Sequence, residues 1–433
     1  MIKLIATGVL LLALAALPAN AQPTLRLTLE EAVTRAIEAS HRLAEATARA
    51  AGAEAAVRVR QTADLPTLNA SGGYTRTNHV EEFGITQPTG GLRVIYPDIP
   101  DNFLSRLSFQ WPIYTGGRTD ALQRAAEAEA RAAAADVQAT RADLRLEVVR
   151  AYWALATATE SVRVLTGALE RADAHVRDMR SRFDTGLIPP NEVSSAESQR
   201  SSQQLQQIEA RNLRSKVLEE LRRLTGITAE IEPVELLEPA PIAAAAEGVP
   251  APGVRAERQA LVDRVLAADE RRRAVEAAGR PTVAVTAAVD YANPNPRIFP
   301  RREDWRESWE IGVTANWTLW DSGRAAAETA EAAAATTATR ARLAELDSLI
   351  ALDVRQRLLD ADSARASLVA AADAVRSAAE ARRVVAERFN VGVATSTEVL
   401  DAQVALLQAE LDRTRALANI RLADARLERA LGR

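Results

Sequence analysis

The residues that could do covalent or metal chemistry are few and scattered. The only histidines, His41, His79 and His175, lie far apart and show no H-x-x-x-H or similar ligand spacing. The 433-residue chain holds no cysteine, which excludes disulfides, thiolate metal sites, cysteine catalysis and a lipidated N-terminal cysteine. No G-x-S-x-G elbow, phosphate loop or dinucleotide fingerprint occurs. These features predict neither an enzyme nor a cofactor nor a metal site. A formal net charge of -4 gives no electrostatic case for binding nucleic acid. One acidic pair has spacing that matters: Glu398 and Asp401 are three apart and share a face of a predicted helix, beside an apolar seam expected through Leu400, Val404, Leu407 and Leu411. Their chemistry would be the attraction of cations, provided several copies gather around one opening. The alternative is two carboxylates on a solvated helix surface.

The elements that must position such a pair begin after a secretory signal. Lys3 gives a positive start, Leu4 to Leu17 an apolar core, and Ala19-Asn20-Ala21 a cleavage site, so residues 1–21 are expected to be removed and the mature chain to begin at Gln22. No later stretch is apolar over the roughly 20 residues a spanning helix needs, so any membrane crossing must be made by strands.

The remaining chain is one unit written twice. Arg182-Phe183-Asp184-Thr185-Gly186, followed by Glu192-Val193, recurs as Arg388-Phe389-Asn390-Val391-Gly392, followed by Glu398-Val399, at an offset of 206 positions (388 minus 182). The same offset relates Trp111 to Trp317, Tyr114-Thr115-Gly116-Gly117-Arg118 to Trp320-Asp321-Ser322-Gly323-Arg324, and Gly226 to Gly432. A gap-free match of that length predicts an internal duplication, with a first repeat over 22–226, a proline-marked linker or equatorial segment over 227–255, and a second repeat over 256–433.

Each repeat changes period from helix to strand and back. Thr28 and Glu31 make a capping box for a helix running to about Ala63, with a weaker counterpart over roughly Val254 to Gly279. Alternation then predicts two strands per repeat, through Leu68–Tyr74 and Leu107–Ile113 in the first and Val283–Tyr291 and Trp309–Leu319 in the second. Period two over about ten residues is what a membrane-spanning strand requires. The aromatic residues fall at strand ends: Trp111, Tyr114, Trp317 and Trp320 beside the glycine turns, and Tyr74, Tyr291 and Trp309 beside the loops, which suggests two interfacial girdles. Alternation alone would also suit a soluble sandwich.

The helices that follow are long. Arg118 to Phe183 contains no proline and at 1.5 Å per residue would extend roughly 100 Å; Arg324 to Phe389 repeats it. Steps of four and three from Leu144 to Phe183 predict a heptad seam, repeated from Ile350 to Phe389 but interrupted by Arg357 and Arg382. Returning helices are expected over 191–225 and 397–431. Four strands per chain cannot close a barrel and lipid forbids open sheet edges, so strands that span a membrane require oligomers; two chains would give about eight strands and a filled interior, three about twelve and an open lumen.

These motifs resemble the TolC-like outer-membrane efflux proteins. The resemblance rests on Trp111-Pro112-Ile113-Tyr114-Thr115-Gly116-Gly117-Arg118 and its copy ending Trp320-Asp321-Ser322-Gly323-Arg324, on Phe389-Asn390-Val391-Gly392 through Glu398-Val399-Leu400-Asp401-Ala402-Gln403, and on the terminal Leu427 to Gly432. It implies an α+β membrane protein: a homotrimer with a shared 12-stranded transmembrane β-barrel in the outer membrane, four strands per chain, continued by a coiled-coil α-helical barrel in the periplasm. It further implies the passive exit duct of a tripartite multidrug efflux or type I secretion system, served by a periplasmic adaptor (membrane fusion) protein and an inner-membrane efflux pump or ABC exporter. By the resemblance, the turns at Gly186-Leu187 and Gly392-Val393 would receive the adaptor, and Glu398 and Asp401 would line the pore entrance and set its selectivity. At Ala394 some relatives carry an arginine that helps hold the tip closed, so that latch is not expected here. A secreted coiled-coil adaptor or scaffold without a pore is the other reading; it would share the signal segment and helical hairpins but would not need four amphipathic strands with aromatic ends. Nothing in the sequence names the cargo.

Overall fold

In the computed structural model, which describes residues 24–234 and 254–433, the chain forms two compact units. The expected signal segment and most of the 227–255 linker lie outside the described residues. In chain order the elements are β1 (Thr24–Leu27), α1 (Leu29–Ala39), α2 (His41–Gln61), β2 (Thr67–Arg76), β3 (Phe83–Thr86), β4 (Leu92–Tyr96), β5 (Asp101–Tyr114), α3 (Arg118–Asp184), α4 (Pro190–Thr225), β6 (Glu230–Pro233), α5 (Ala256–Glu276), β7 (Thr282–Asn293), β8 (Arg306–Asn316), α6 (Arg324–Asn390) and α7 (Ser396–Ala430). A helical unit takes the described residues up to Ala46, those of Val137–Ala256 and those of Asp347–Arg433, and a sheet unit takes Thr47–Asp136 and Glu257–Leu346. Each unit therefore draws on both repeats.

In the helical unit the predicted capping box starts α1: Thr28 N donates to Glu31 Oε2 at 2.9 Å and Glu31 N donates to Thr28 Oγ1 at 3.3 Å. The single helix expected to reach Ala63 is instead two. Ser40 adopts an extended conformation (ψ 110) and its Oγ accepts from Leu43 N at 3.2 Å, so the serine ends α1 and caps α2. Val148, Tyr152 and Leu155 of α3 pack with Ala32 and Ala36 of α1, Leu218 and Leu221 of α4, and Ile231 of β6. A parallel two-stranded ribbon, β1 on β6, closes this core, and the sequence reading did not include it. The fully buried Tyr152 donates its hydroxyl to Leu27 O at 3.0 Å, which ties α3 to the ribbon. Tyr152→Phe should cost about 1 kcal/mol, because Leu27 O keeps its second bond from Val234 N; a melt followed by circular dichroism should show a drop of a few degrees in Tm.

The heptad seam of α3 is buried from Leu144 to Met179 at most of its positions. Its copy on α6 is buried chiefly at Ala361, Ala364, Leu368 and Phe389, and Arg357 is accommodated half-buried by Asp353 at 3.1 Å and Asp360 at 3.0 Å. Leu349, Leu352, Leu359 and Val369 of α6, and Leu205, Ile208 and Leu213 of α4, remain exposed, so both helices carry apolar surface that the single chain leaves uncovered.

The sheet unit is built on a four-stranded antiparallel sheet in the order β2-β5-β7-β8, two hairpins joined through β5 and β7. The predicted alternation becomes two distinct faces. Pairing sets Leu68, Phe109, Ala287 and Ile311 side by side, and likewise Trp111, Val285 and Val313, so one face is apolar. The other carries Asn69, Ser71, Arg106, Ser108, Asp290, Ser308, Glu310 and Thr314. Pro112, which cannot donate to a ladder, lies where the β5–β7 register shifts. A short β3–β4 hairpin, also absent from the sequence reading, lies within the loop between β2 and β5.

Candidate functional site

The two helix turns are built alike from identical spacing. After α3, Gly186 N donates to Phe183 O at 2.8 Å and Leu187 N to Arg182 O at 2.9 Å; after α6, Gly392 N donates to Phe389 O at 3.1 Å and Val393 N to Arg388 O at 2.8 Å. These are paired Schellman caps, and Gly186 (φ 73) and Gly392 (φ 77) hold the left-handed position that an L side chain resists. Capping accounts for the glycines but not for what surmounts them. Leu187 is 74% exposed and Val391 and Val393 are also exposed, so each turn presents bare apolar side chains.

The return helices start differently. Thr395 caps α7 in a second capping box: Glu398 N donates to Thr395 Oγ1 at 3.3 Å, and Glu398 Oε1 accepts from Thr395 N and Thr395 Oγ1, both at 3.2 Å. The corresponding residue of α4 is Pro189, which makes no side-chain cap. Glu398 thus has a local structural task that the sequence reading did not assign, although the T-x-x-E spacing signalled it. Both Glu398 and Asp401 are exposed, and of the apolar seam expected beside them Leu407 is buried and Leu411 packs against its cluster. In the first turns Leu400 is only half-buried and Val404 exposed, and Val399 and Leu406 are buried instead, so there the buried stripe lies off the anticipated phase.

On the sheet, the apolar face is uncovered: Trp309 is 73% and Val313 69% exposed, with Leu68, Leu107, Val289, Ile311 and Trp317 also open. No helix among the described residues is long and apolar enough to cross a membrane. The aromatic residues take up the expected ends. Trp111 Nε1 donates to Asp64 O at 3.1 Å, and its duplicate Trp317 donates from Nε1 to Gly279 O at 3.2 Å, each to a carbonyl at the close of the preceding helical segment. Tyr114 and Trp320 lie exposed at that same end. At the other end Tyr74 lies 5.0 Å from Phe103, and Tyr291 stacks on Trp305 at 5.0 Å between ring centroids. Trp309 and Trp317 are eight residues apart (317 minus 309), roughly 26 Å along a strand, comparable with an apolar band about 25 Å tall.

The polar face holds a charge network that the sequence reading missed. Arg106 Nε lies 3.1 Å from the buried Asp290 carboxylate and Arg106 Nη2 2.7 Å from Glu310, which Arg297 also contacts. Asn295 is buried and donates to Arg306 O at 3.0 Å, so the β7–β8 loop is pinned against its own strand. The available signal was that Arg106, Asp290 and Glu310 are the charged members of the polar alternates. The three histidines do not converge: His79 meets Asp98 in the sheet unit, and His41 and His175 lie on different helices of the helical unit.

A family model described as outer membrane efflux protein matches residues 32–227 and 255–433. No curated protein gives a significant match. Among solved structures, the outer membrane protein VceC of Vibrio cholerae aligns with a TM-score of 0.79 at 22% identity, covering 93% of this chain and 96% of that one. The outer membrane channel CmeC of Campylobacter jejuni aligns at 0.78 and 17% identity, covering 93% and 85%. The open state of the outer membrane channel MtrE of Neisseria gonorrhoeae aligns at 0.74 and 19%, covering 93% and 88%. Identities this low speak for the fold.

Proposed function

Because the chain belongs to the outer membrane efflux protein family, a family of outer-membrane channels rather than enzymes, we propose that it is the passive exit duct of a tripartite efflux or type I secretion system. One observation carries the reading: a four-stranded sheet whose apolar face is bare and whose edge strands β2 and β8 have no partner on their outer sides among the described residues. In water that face attracts other chains, and in lipid the open edges are forbidden; joining β8 of one copy to β2 of the next removes both defects. Three copies give about twelve strands and an open lumen, with the polar face and its Arg106–Asp290–Glu310 network turned inward. The uncovered leucines of α4 and α6 favour the same assembly, since neighbouring copies would bury them in a helical barrel in the periplasm. A pore-free scaffold would leave all this surface wet.

In this reading the turns at Gly186-Leu187 and Gly392-Val393 meet a periplasmic adaptor, beyond which an inner-membrane pump or ABC exporter supplies the energy. Tyr74, Trp111, Tyr114, Tyr291, Trp309, Trp317 and Trp320 seat the barrel at the two lipid–water boundaries. The protein should extract only with detergent, give a trimer mass by native mass spectrometry, and form conducting pores in planar bilayers. A stable monomer in detergent-free buffer would remove the barrel.

The adaptor contact has its own test. Leu187→Asp with Val393→Asp should leave trimers and bilayer conductance intact while weakening adaptor capture about a hundredfold, the loss of two buried apolar side chains at about 1.5 kcal/mol each. Unchanged capture on a biosensor surface would return the turns to simple helix caps.

A further inference from the structure

Beneath the turns the four long helices share one small core: Val176 and Met179 of α3, Ala196 of α4, Phe389 of α6 and Val399 of α7. Set into it is an imidazole. His175 is 8% exposed, its Nε2 lies 3.1 Å from the hydroxyl of the buried Ser396 at the start of α7, and its ring centroid is 6.0 Å from that of Phe389. The first hairpin (α3 and α4) therefore grips the second (α6 and α7) through one titratable ring about nine residues short of the turn, some 13 Å along the helix. The duplication does not repeat the device, for the position 206 after His175 is Ala381 and that 206 before Ser396 is Pro190.

We infer that His175 is a proton-sensitive joint that holds the two hairpins together beneath their turns when neutral and releases them when protonated. The inference rests on the reading above, in which the turns form the adaptor-facing end of the duct, and takes that end as its inner opening.

The surroundings are suited to a neutral ring. Phe389 from α6 and Ser396 from α7 are uncharged, and the charged groups acting on the ring are Asp178 and Arg182 of α3 and Glu192 in the first turn of α4. Asp178 is already paired with Arg182 at 3.0 Å, and that guanidinium sits 4.4 Å over the Phe389 ring, so a positive charge occupies the neighbourhood before the imidazole acquires one. Burial pushes the His175 pKa below its usual 6.5; Asp178 and Glu192 oppose the shift and Arg182 adds to it. The sign follows from linkage. A released ring binds protons more readily than the packed one, so packing has its full stability above pH 6.5 and loses it progressively as the pH falls below that value.

The absence of cysteine allows a clean measurement. Nitroxide labels on Leu187→Cys and Val393→Cys, in trimers diluted with unlabelled subunits, report the spacing of the two turns by pulsed electron paramagnetic resonance. The distance distribution should be narrow at about pH 7.5 and lose its narrow population by about pH 5, with bilayer conductance rising in step. His175→Phe, which keeps the ring volume but cannot be protonated, should stay narrow across the range. Ser396→Ala removes the hydroxyl that faces Nε2 but leaves the ring titratable, so it should keep the transition. A wild-type distribution that ignores pH, or acid broadening that persists in His175→Phe, overturns the joint. Broadening without a conductance change leaves the joint standing and removes the reading of the turns as the aperture.

Discussion

Val313→Arg should abolish assembly in the outer membrane, while Thr314→Arg, one residue further on, should assemble as the wild type does. Val313 pairs with Val285 on the bare apolar face, midway between Trp309 and Trp317, whereas Thr314 pairs with Ala284 on the face that carries Asp290 and Glu310. An arginine on the lipid side near mid-membrane costs about 2 to 4 kcal/mol per chain, and a trimer would incur it three times, roughly 6 to 12 kcal/mol. That is comparable with the whole margin of about 5 to 15 kcal/mol by which most folded proteins persist. On the lumen side the same guanidinium meets water. Trimer bands on unheated gels, from outer-membrane fractions, decide the matter: equal tolerance at both positions would mean that the sheet does not face lipid.

The second large effect is expected at Glu398 and Asp401. If their helix face lines the inner opening, threefold symmetry gathers six carboxylates, two from each of three chains, around one constriction. The channel should then prefer cations and be blocked from the periplasmic side by trivalent or hexammine-type cations. The test pair is Glu398→Gln with Asp401→Asn. Glutamine can still close the capping box on Thr395, so α7 keeps its start while the charge is removed. Block in planar bilayers should weaken about tenfold or more and the cation preference should fall towards unity, with trimers unaffected. Unchanged block and selectivity would return both residues to an exposed helix surface.

Much of this was readable in the chain because it depends on local geometry. The capping box at Thr28 and Glu31 lies within one helical turn, and the glycines at 186 and 392 satisfy a conformational demand on a single residue. The two faces of the sheet follow from alternation alone, since successive side chains of a strand point to opposite sides. The duplication showed that the second turn would be built like the first. The capping box at Thr395 and Glu398 lies within the same local reach, signalled by its T-x-x-E spacing.

The duplicated sequence marks the limit of such reading. Phe183 and Phe389 occupy equivalent positions in equivalent seams, yet Phe183 is 43% exposed and Phe389 9% exposed, because only the second meets His175, Val176, Met179 and Val399 from other helices. The β1–β6 ribbon joins four-residue segments some two hundred positions apart, too short to carry a period and too distant for one to indicate the other. The burial of His175 against Ser396, and of Asp290 against Arg106, likewise spans from about two hundred to more than two hundred residues of chain. The sequence by itself determined which face of the four sheet strands is apolar and where the long helices α3, α4, α6 and α7 begin and end, because backbone geometry dictates side-chain direction within a few residues. Only the tertiary structure decided which of two identical phenylalanines is buried, which histidine lies between hairpins and which charges meet, because those depend on partners that no local periodicity encodes.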